Sequence, residues 1–222
     1  MINQDEWNAL HSEKRFRPKY PEDDIVRWLF SNVPRNSKVL DDGCGAGRHI
    51  ILLAENGYIP FGIDYSNNGV EYTKQLLNIN NHDEYIDNVF VASCDDLPFE
   101  DCFFDGLISY GVLYYLEDRD IKKAVDEIYR VLKKNGKTVV VVRSTEDYRN
   151  NTNLINTTQN IISIKDKNLS GNAENGMSEH FFTRTEIENL FSDFSSLTID
   201  RIIRTHNNEE ICDNDYIIFA EK

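Results

Sequence analysis

The stretch that most restricts what this chain can fold into is Val39-Leu40-Asp41-Asp42-Gly43-Cys44-Gly45-Ala46-Gly47. An apolar pair followed by two acids reads as the end of a strand. Three glycines at alternate positions then make a tight turn, after which Ile50, Leu53 and Ala54 recur at helical spacing. Glycine lets backbone approach a ligand without a Cβ in the way. The first N–H groups of the following helix point out of its end and favour an anion there. Strand, glycine turn and helix in this order predict a βα unit with a nucleotide-type site at the carboxyl end of its strand. Phe61-Gly62-Ile63-Asp64 supplies the complement. An acid closing the next strand, about twenty residues after the loop, is positioned to accept hydrogen bonds from both ribose hydroxyls.

The rest of the chain alternates in the same way. Strands are predicted at 38–42, 59–64, 88–92, 104–109 and 138–142, with helices at 47–56, after a capping Ser66, and at 120–133. In the last of these, Ile121, Ala124, Val125, Ile128, Val131 and Leu132 form one apolar stripe. Lys133 and Lys134 suit its C-terminal dipole, and Asn135-Gly136 a C-terminal cap. Pro21 suits the first turn of an earlier helix carrying Ile25, Trp28 and Leu29. Thr183-Arg184-Thr185-Glu186 has capping-box spacing. Two strand-like runs, 196–204 and 216–220, are joined by the polar stretch 206–214 as a hairpin requires. This pattern predicts an α/β fold, mainly parallel, with helices on both faces. One domain over 1–222 accommodates it, with 1–36 as an N-terminal arm and helix. Residues 144–182 are polar and weakly patterned, and so long a connection predicts a lid or substrate cap over the active site.

Composition narrows the partners. The formal charge of −14 opposes a nucleic-acid substrate or an anionic membrane, since phosphate binding needs a basic footprint. Lys14-Arg15-Phe16-Arg17-Pro18-Lys19 is the one dense cationic stretch and reads as a solvated arm. The four cysteines, Cys44, Cys94, Cys102 and Cys212, have no metal-ligand spacing, so no metal is expected. A polar N-terminus and scattered cysteines predict a cytoplasmic protein.

On residues 39–47, with Asp64, Leu97-Pro98-Phe99, Phe104-Asp105 and the run 127–133, the chain resembles the class I S-adenosylmethionine-dependent methyltransferases. The resemblance covers roughly 20–143. It implies a Rossmann-like, doubly wound seven-stranded sheet whose last strand is antiparallel, with S-adenosylmethionine as cofactor. It also implies roles. Asp41 would hold the cofactor ammonium; Gly43, Cys44, Gly45 and Gly47 would pack on its methionine and ribose; Asp64 would take the ribose hydroxyls; Tyr65 would lie by the adenine. Ser93 stands where the family often has an aspartate for the adenine amino group, and the Cys94 N–H would reach a ring nitrogen. Tyr110 would line the methyl-transfer cleft. Arg17 and Tyr20 belong to a segment that in this family often folds over the cofactor.

For catalysis and acceptor binding the residues themselves offer candidates. His180 is the candidate general base, with lid packing as the competing reading. Tyr114 and Tyr115 can line the cleft or the core. Arg143, at the end of the fifth strand, can bind an anionic group of the substrate or form an ion pair. The absence of a Pro-Pro-aromatic motif after the fourth strand and of a Pro-Cys nucleophile points away from base methylation. A small-molecule acceptor is therefore expected, ahead of a protein or RNA methyltransferase. The same glycine loop and ribose acid also suit a non-catalytic cofactor-binding regulator or a nicotinamide-dependent oxidoreductase. Against the oxidoreductase, the glycines fall as G-x-G-x-G, with Arg48 where G-x-G-x-x-G requires its third glycine.

Overall fold

The computed structural model describes residues 4–151, 155–158, 161–163 and 178–222. Helices α1 (Gln4–Ser12) and α2 (Asp23–Asn32) precede β1 (Lys38–Asp42), α3 (Arg48–Glu55), β2 (Ile59–Asp64) and α4 (Asn67–Ile79). Then follow β3 (Val89–Val91), β4 (Phe104–Tyr110), α5 (Asp118–Val131) and β5 (Leu132–Arg143). Three short strands, β6 (Ile155–Thr158), β7 (Ile161–Ser163) and β8 (Ser178–His180), pair with one another in a separate small sheet. The chain then runs through α6 (Arg184–Leu190), β9 (Ser196–His206) and β10 (Ile211–Glu221).

The main sheet has seven strands in the order β3-β2-β1-β4-β5-β10-β9. The first five are mutually parallel, and β10 enters antiparallel between β5 and β9, pairing Ile218 with Val140 and Ile199. This is the expected doubly wound arrangement with its antiparallel last strand. The central strands are apolar on both faces because both are covered. Val39, Ile108, Val139 and Val141 pack against Ile25, Trp28 and Leu29 of α2 and Leu53 of α3. Leu40, Leu107, Val140 and Val142 pack against Ile121, Val125 and Ile128 of α5 and Ile187 of α6.

Local signals account for most boundaries. The Ser66 hydroxyl accepts from the Gly69 N–H at the start of α4, and Thr183 with Glu186 forms the reciprocal capping box of α6. Two expectations differ. Pro21 lies one residue before the Glu22 N-cap of α2, outside its first turn. The helix read as 120–133 ends at Val131, and Leu132 already pairs with Phe104. Lys133 and Asn135 therefore belong to a bulged strand entry, where Asn135 has φ 63° and its N–H donates to the Lys222 carbonyl. Sheet pairing at both edges of this segment outweighs a helix cap that is favourable only locally.

Candidate functional site

The strand order reverses between β1 and β4, so the loops leaving these strands diverge and open a crevice at their carboxyl ends. The glycine loop leaves β1 there. The Gly43 and Cys44 N–H groups both donate to the Ile63 carbonyl, which ties the turn to β2. Gly43 has φ 76°, and a Cβ on it would come 2.3 Å from the Val112 side chain, so only glycine fits. Asp64, at the end of β2, accepts from the Gly45 N–H at 2.8 Å and the Ser66 N–H at 2.7 Å. Loop, acid and the cap of α4 thus form one hydrogen-bonded unit.

A cavity of about 410 Å³ fills this crevice. Four loops build its wall: 42–46 after β1, 64–65 after β2, 92–94 after β3, and 110–116 after β4. The volume lies in the range of small-molecule and cofactor sites. Its roof is α1 and the turn after it, through Trp7, Leu10, His11, Phe16 and Pro18. Docking of α1 is specific. Gln4 donates to the Tyr65 carbonyl, Asn8 accepts from the Ser66 hydroxyl, and Trp7 stands edge-on to Tyr115 with ring centroids 4.8 Å apart. His11 lies over the loop, where a Cβ on Gly45 would be 3.2 Å from its Cε1.

Charge in the site is mostly negative and sealed from water. Burial pushes the Asp42 carboxyl up to about 7, against a hydrogen bond from the Ser109 hydroxyl that pulls it down. Burial also raises Asp64, opposed by nearby His11 and by its two backbone donors. His11 is lowered in turn by its own burial, despite the attraction of Asp64. On the cavity wall, buried Asp42 Oδ1 and His11 Nδ1 have no hydrogen-bond partner among the described residues. Buried polar atoms without partners are uncommon in folded proteins, and their clustering here points to a polar ligand.

The family model for a methyltransferase domain matches residues 40–140, the segment that carries all four loops. The ubiquinone/menaquinone biosynthesis C-methyltransferase of Geotalea daltonii is 33% identical over 114 residues, 50% of this chain and 47% of that protein. The tRNA (carboxymethyluridine(34)-5-O)-methyltransferase of Arabidopsis thaliana is 30% identical over 136 residues, 61% of this chain and 30% of that protein. A SAM-dependent methyltransferase of Methanosarcina mazei has the same fold, with a TM-score of 0.68 at 18% identity, covering 87% of this chain and 96% of that one. Over residues 40–140 the chain is thus similar to a methyltransferase domain, and its fold is the one seen in SAM-dependent methyltransferases. It spans about half or less of the length of the curated relatives it matches.

S-adenosylmethionine is the cofactor of these methyltransferases, and the residues present fit it. The glycine loop leaves room against backbone, Asp64 offers carboxylate oxygens, and unpartnered polar atoms sit around the cavity. Of the residues singled out in the sequence, Gly43, Cys44, Gly45, Asp64, Tyr65, Ser93, Cys94, Tyr110, Tyr114 and Tyr115 line the cavity. The others do not. Asp41 is buried on the opposite side of β1 from Asp42 and faces His49 Nδ1 at 3.4 Å. Gly47 backs onto Thr73, where a Cβ would be 2.8 Å from its hydroxyl. Arg17 bonds the carbonyls of His11 and Ser12 and lies over the Tyr72 ring, and Tyr20 is 75% exposed. The N-terminal segment does cover the cavity, but through Trp7, Leu10 and His11, whose i, i+3, i+4 spacing was the available signal.

The catalytic and acceptor candidates fare differently. His180 lies outside the cavity wall, with Nδ1 2.8 Å from Asp118 and Nε2 2.8 Å from Glu186. A ring held between two carboxylates has both nitrogens occupied as donors and no lone pair left for a substrate proton. Tyr110 lines the wall, but burial pushes its hydroxyl up to about 12, so it keeps its proton near neutrality. Arg143 is buried in an ion pair with Glu179, under the Tyr114 ring at 4.5 Å, where it supports the wall from behind. Among the described residues of 144–182, none lines the cavity. That segment closes through Ser144 and Phe182, and β8 packs behind the turn Leu113–Tyr115. Among the described residues, the cavity is roofed by α1 and the turn after it. Residues 152–154, 159–160 and 164–177 of that segment lie outside the described residues. Two wall residues carried no distinct signal in the sequence: Asp42, one acid among the loop's pair, and Arg48, conspicuous only for not being glycine.

Proposed function

We propose that this protein transfers a methyl group from S-adenosylmethionine to a small-molecule acceptor within the roofed cavity. The observation that carries this reading is the meeting of Gly45, Asp64, Tyr65 and Cys94, from three different loops, around one cavity at the switch point of the sheet. In this reading Asp64 accepts from the ribose hydroxyls, while its bonds from the Gly45 and Ser66 N–H groups fix its orientation. Tyr65 and the Ser93-Cys94 backbone flank the adenine. Trp7, Leu10 and Leu116 exclude water. When bound, the cofactor supplies a methyl group already activated on a sulfonium. The protein's own contribution is then alignment, and proximity and orientation can lower a barrier by about 7–11 kcal/mol.

Two observations favour a small acceptor. The wall is rich in aromatic rings, with Trp7, Tyr110, Tyr114 and Tyr115 around it. The charge of −14 opposes a polyanion. The relative named for ubiquinone and menaquinone biosynthesis supports the same class, against the relative named for tRNA.

Calorimetry with S-adenosylmethionine and S-adenosylhomocysteine tests the cofactor site, and a panel of small phenols, amines and quinones tests the acceptor. Asp64→Ala is expected to weaken cofactor binding by about 2–3 kcal/mol, the scale of hydrogen bonds to a charged group. Unchanged affinity would mean that the nucleoside binds elsewhere.

A further inference from the structure

Among the described residues, the cavity wall carries two acids, Asp42 and Asp64, and one lysine or arginine, Arg48. It is the first residue of α3, directly after the glycine loop. Its Nη1 donates to Glu22 Oε1 at 2.8 Å, and its guanidinium lies 5.3 Å from the centre of the Tyr110 ring, another wall residue. Glu22 is shared. Its other oxygen accepts from Arg204 of β9 at 3.2 Å, and Arg204 also bonds the Tyr110 hydroxyl. Asp215 is a second acid near Arg204, so the two guanidinium groups face two carboxylates. Glu22 fixes Arg48 through one of its donors. A guanidinium has five N–H donors, and Glu22 is the only hydrogen-bond partner of Arg48 among the described residues. The first-turn N–H groups of α3 also favour an anion beside Arg48.

The two acids of the wall, Asp64 and Asp42, end β2 and β1, while Tyr110 beside Arg48 ends β4, on the other side of β1 from β2. A molecule with an anionic group has one favourable orientation in such a cavity, with that group at Arg48.

We propose that Arg48, positioned by Glu22, binds the carboxylate at the amino-acid end of the cofactor. This rests on the cofactor lying in the cavity with its nucleoside at Asp64, as proposed above. It makes Arg48 the residue that fixes the direction of the bound molecule along the cavity. The same guanidinium chemistry would suit a carboxylate on the acceptor, so the test measures cofactor binding with no acceptor present.

The probes are S-adenosylmethionine and decarboxylated S-adenosylmethionine, which keeps the sulfonium and the amine. Dissociation constants are measured for the wild type, Arg48→Gln and Arg48→Lys. Arg48→Gln is expected to weaken S-adenosylmethionine about tenfold or more while leaving the decarboxylated form within about twofold, a coupling of the size expected for a charge-assisted bond. Arg48→Lys, which keeps charge but loses the planar fork, should fall between. Retained binding of the decarboxylated probe, with an unchanged melting temperature, shows that the variant is folded. Equal weakening of both probes, or of neither, overturns the proposal, and an acceptor carboxylate as the true partner gives the second of these. Asp64→Ala run in parallel separates the two readings. If it weakens both probes while Arg48→Gln leaves their ratio unchanged, the carboxylate assignment falls and the cofactor site stands. If Asp64→Ala affects neither, the placement of the nucleoside fails first.

Discussion

Asp42 and His180 are titratable residues whose environments set them apart from their ordinary behaviour, and both give the protein a pH dependence. The Asp42 carboxyl is 1% exposed, takes one hydrogen bond from Ser109, and is pushed up to about 7 by burial. Its folded value lies above its unfolded one, so the native state binds more protons between about pH 4 and 7. Stability must therefore fall as pH rises through that window. Asp42→Asn keeps an acceptor for Ser109 and removes the ionisation. It is expected to match the wild type near pH 4 and exceed it by on the order of 2–4 kcal/mol at pH 8, measured by urea unfolding. His180 works through attraction. Burial pulls it down, but the bonds to Glu186 and Asp118 outweigh burial and hold it above its usual value. Its stabilisation is complete below about pH 6.5 and is lost as pH rises through the folded value. His180→Ala should cost about 1–2 kcal/mol at pH 6 and less at pH 8.5, since Asp118 is partly screened by solvent. Cofactor affinity should not change, because the ring is outside the cavity wall. A large loss of affinity with intact stability would return His180 to the site.

At the scale of elements, α1 matters most. It has no buried residue of its own, yet it closes the cavity with Trp7, Leu10 and His11. It is held by side-chain bonds to Tyr65, Ser66 and Asn68 and by the edge contact of Trp7 with Tyr115. Tyr65, Ser66 and Tyr115 sit on the loops after β2 and β4, and Asn68 in the first turn of α4, so the helix docks largely on the segments that form the wall. A short helix of this kind has little stability by itself and relies on that docking. Trp7→Ala is expected to raise the cofactor dissociation constant about five- to tenfold, the scale of an aromatic pair plus lost burial, with global stability nearly unchanged. A fall in melting temperature without a change in affinity would make α1 a structural element only. The capping motifs behave differently. Ser66 and the Thr183–Glu186 box act on neighbouring residues, which is why they are readable without the fold.

Over the whole molecule, the sheet does what its order requires. Five parallel strands bring four loops to one edge, and the reversal between β1 and β4 parts those loops widely enough for a ligand. The sequence by itself determined the seven strands of the main sheet, the glycine turn, Asp64 and the antiparallel last strand implied by the family resemblance, but not the small sheet β6–β8. These depend on short-range patterns: apolar runs buried on both faces, left-handed turns open to glycine, and caps within one helical turn. It also determined the charge balance, which opposes a polyanionic partner. Only the tertiary structure decided which side chains meet in the cavity. The alternation of a strand sends Asp41 and Asp42 to opposite faces, and the packing of each face put Asp42, not Asp41, in the cavity wall. His180 and Arg143 carry the right chemistry at plausible ends of strands, but distant acids claim them: Asp118 for the first and Glu179 for the second. A charged side chain is drawn to whichever opposite charge the fold buries beside it, and that neighbour lies tens of residues away in the chain. Arg48 shows the same rule from the other direction, since its place in the site depends on Glu22 and Arg204, which only the folded chain brings together.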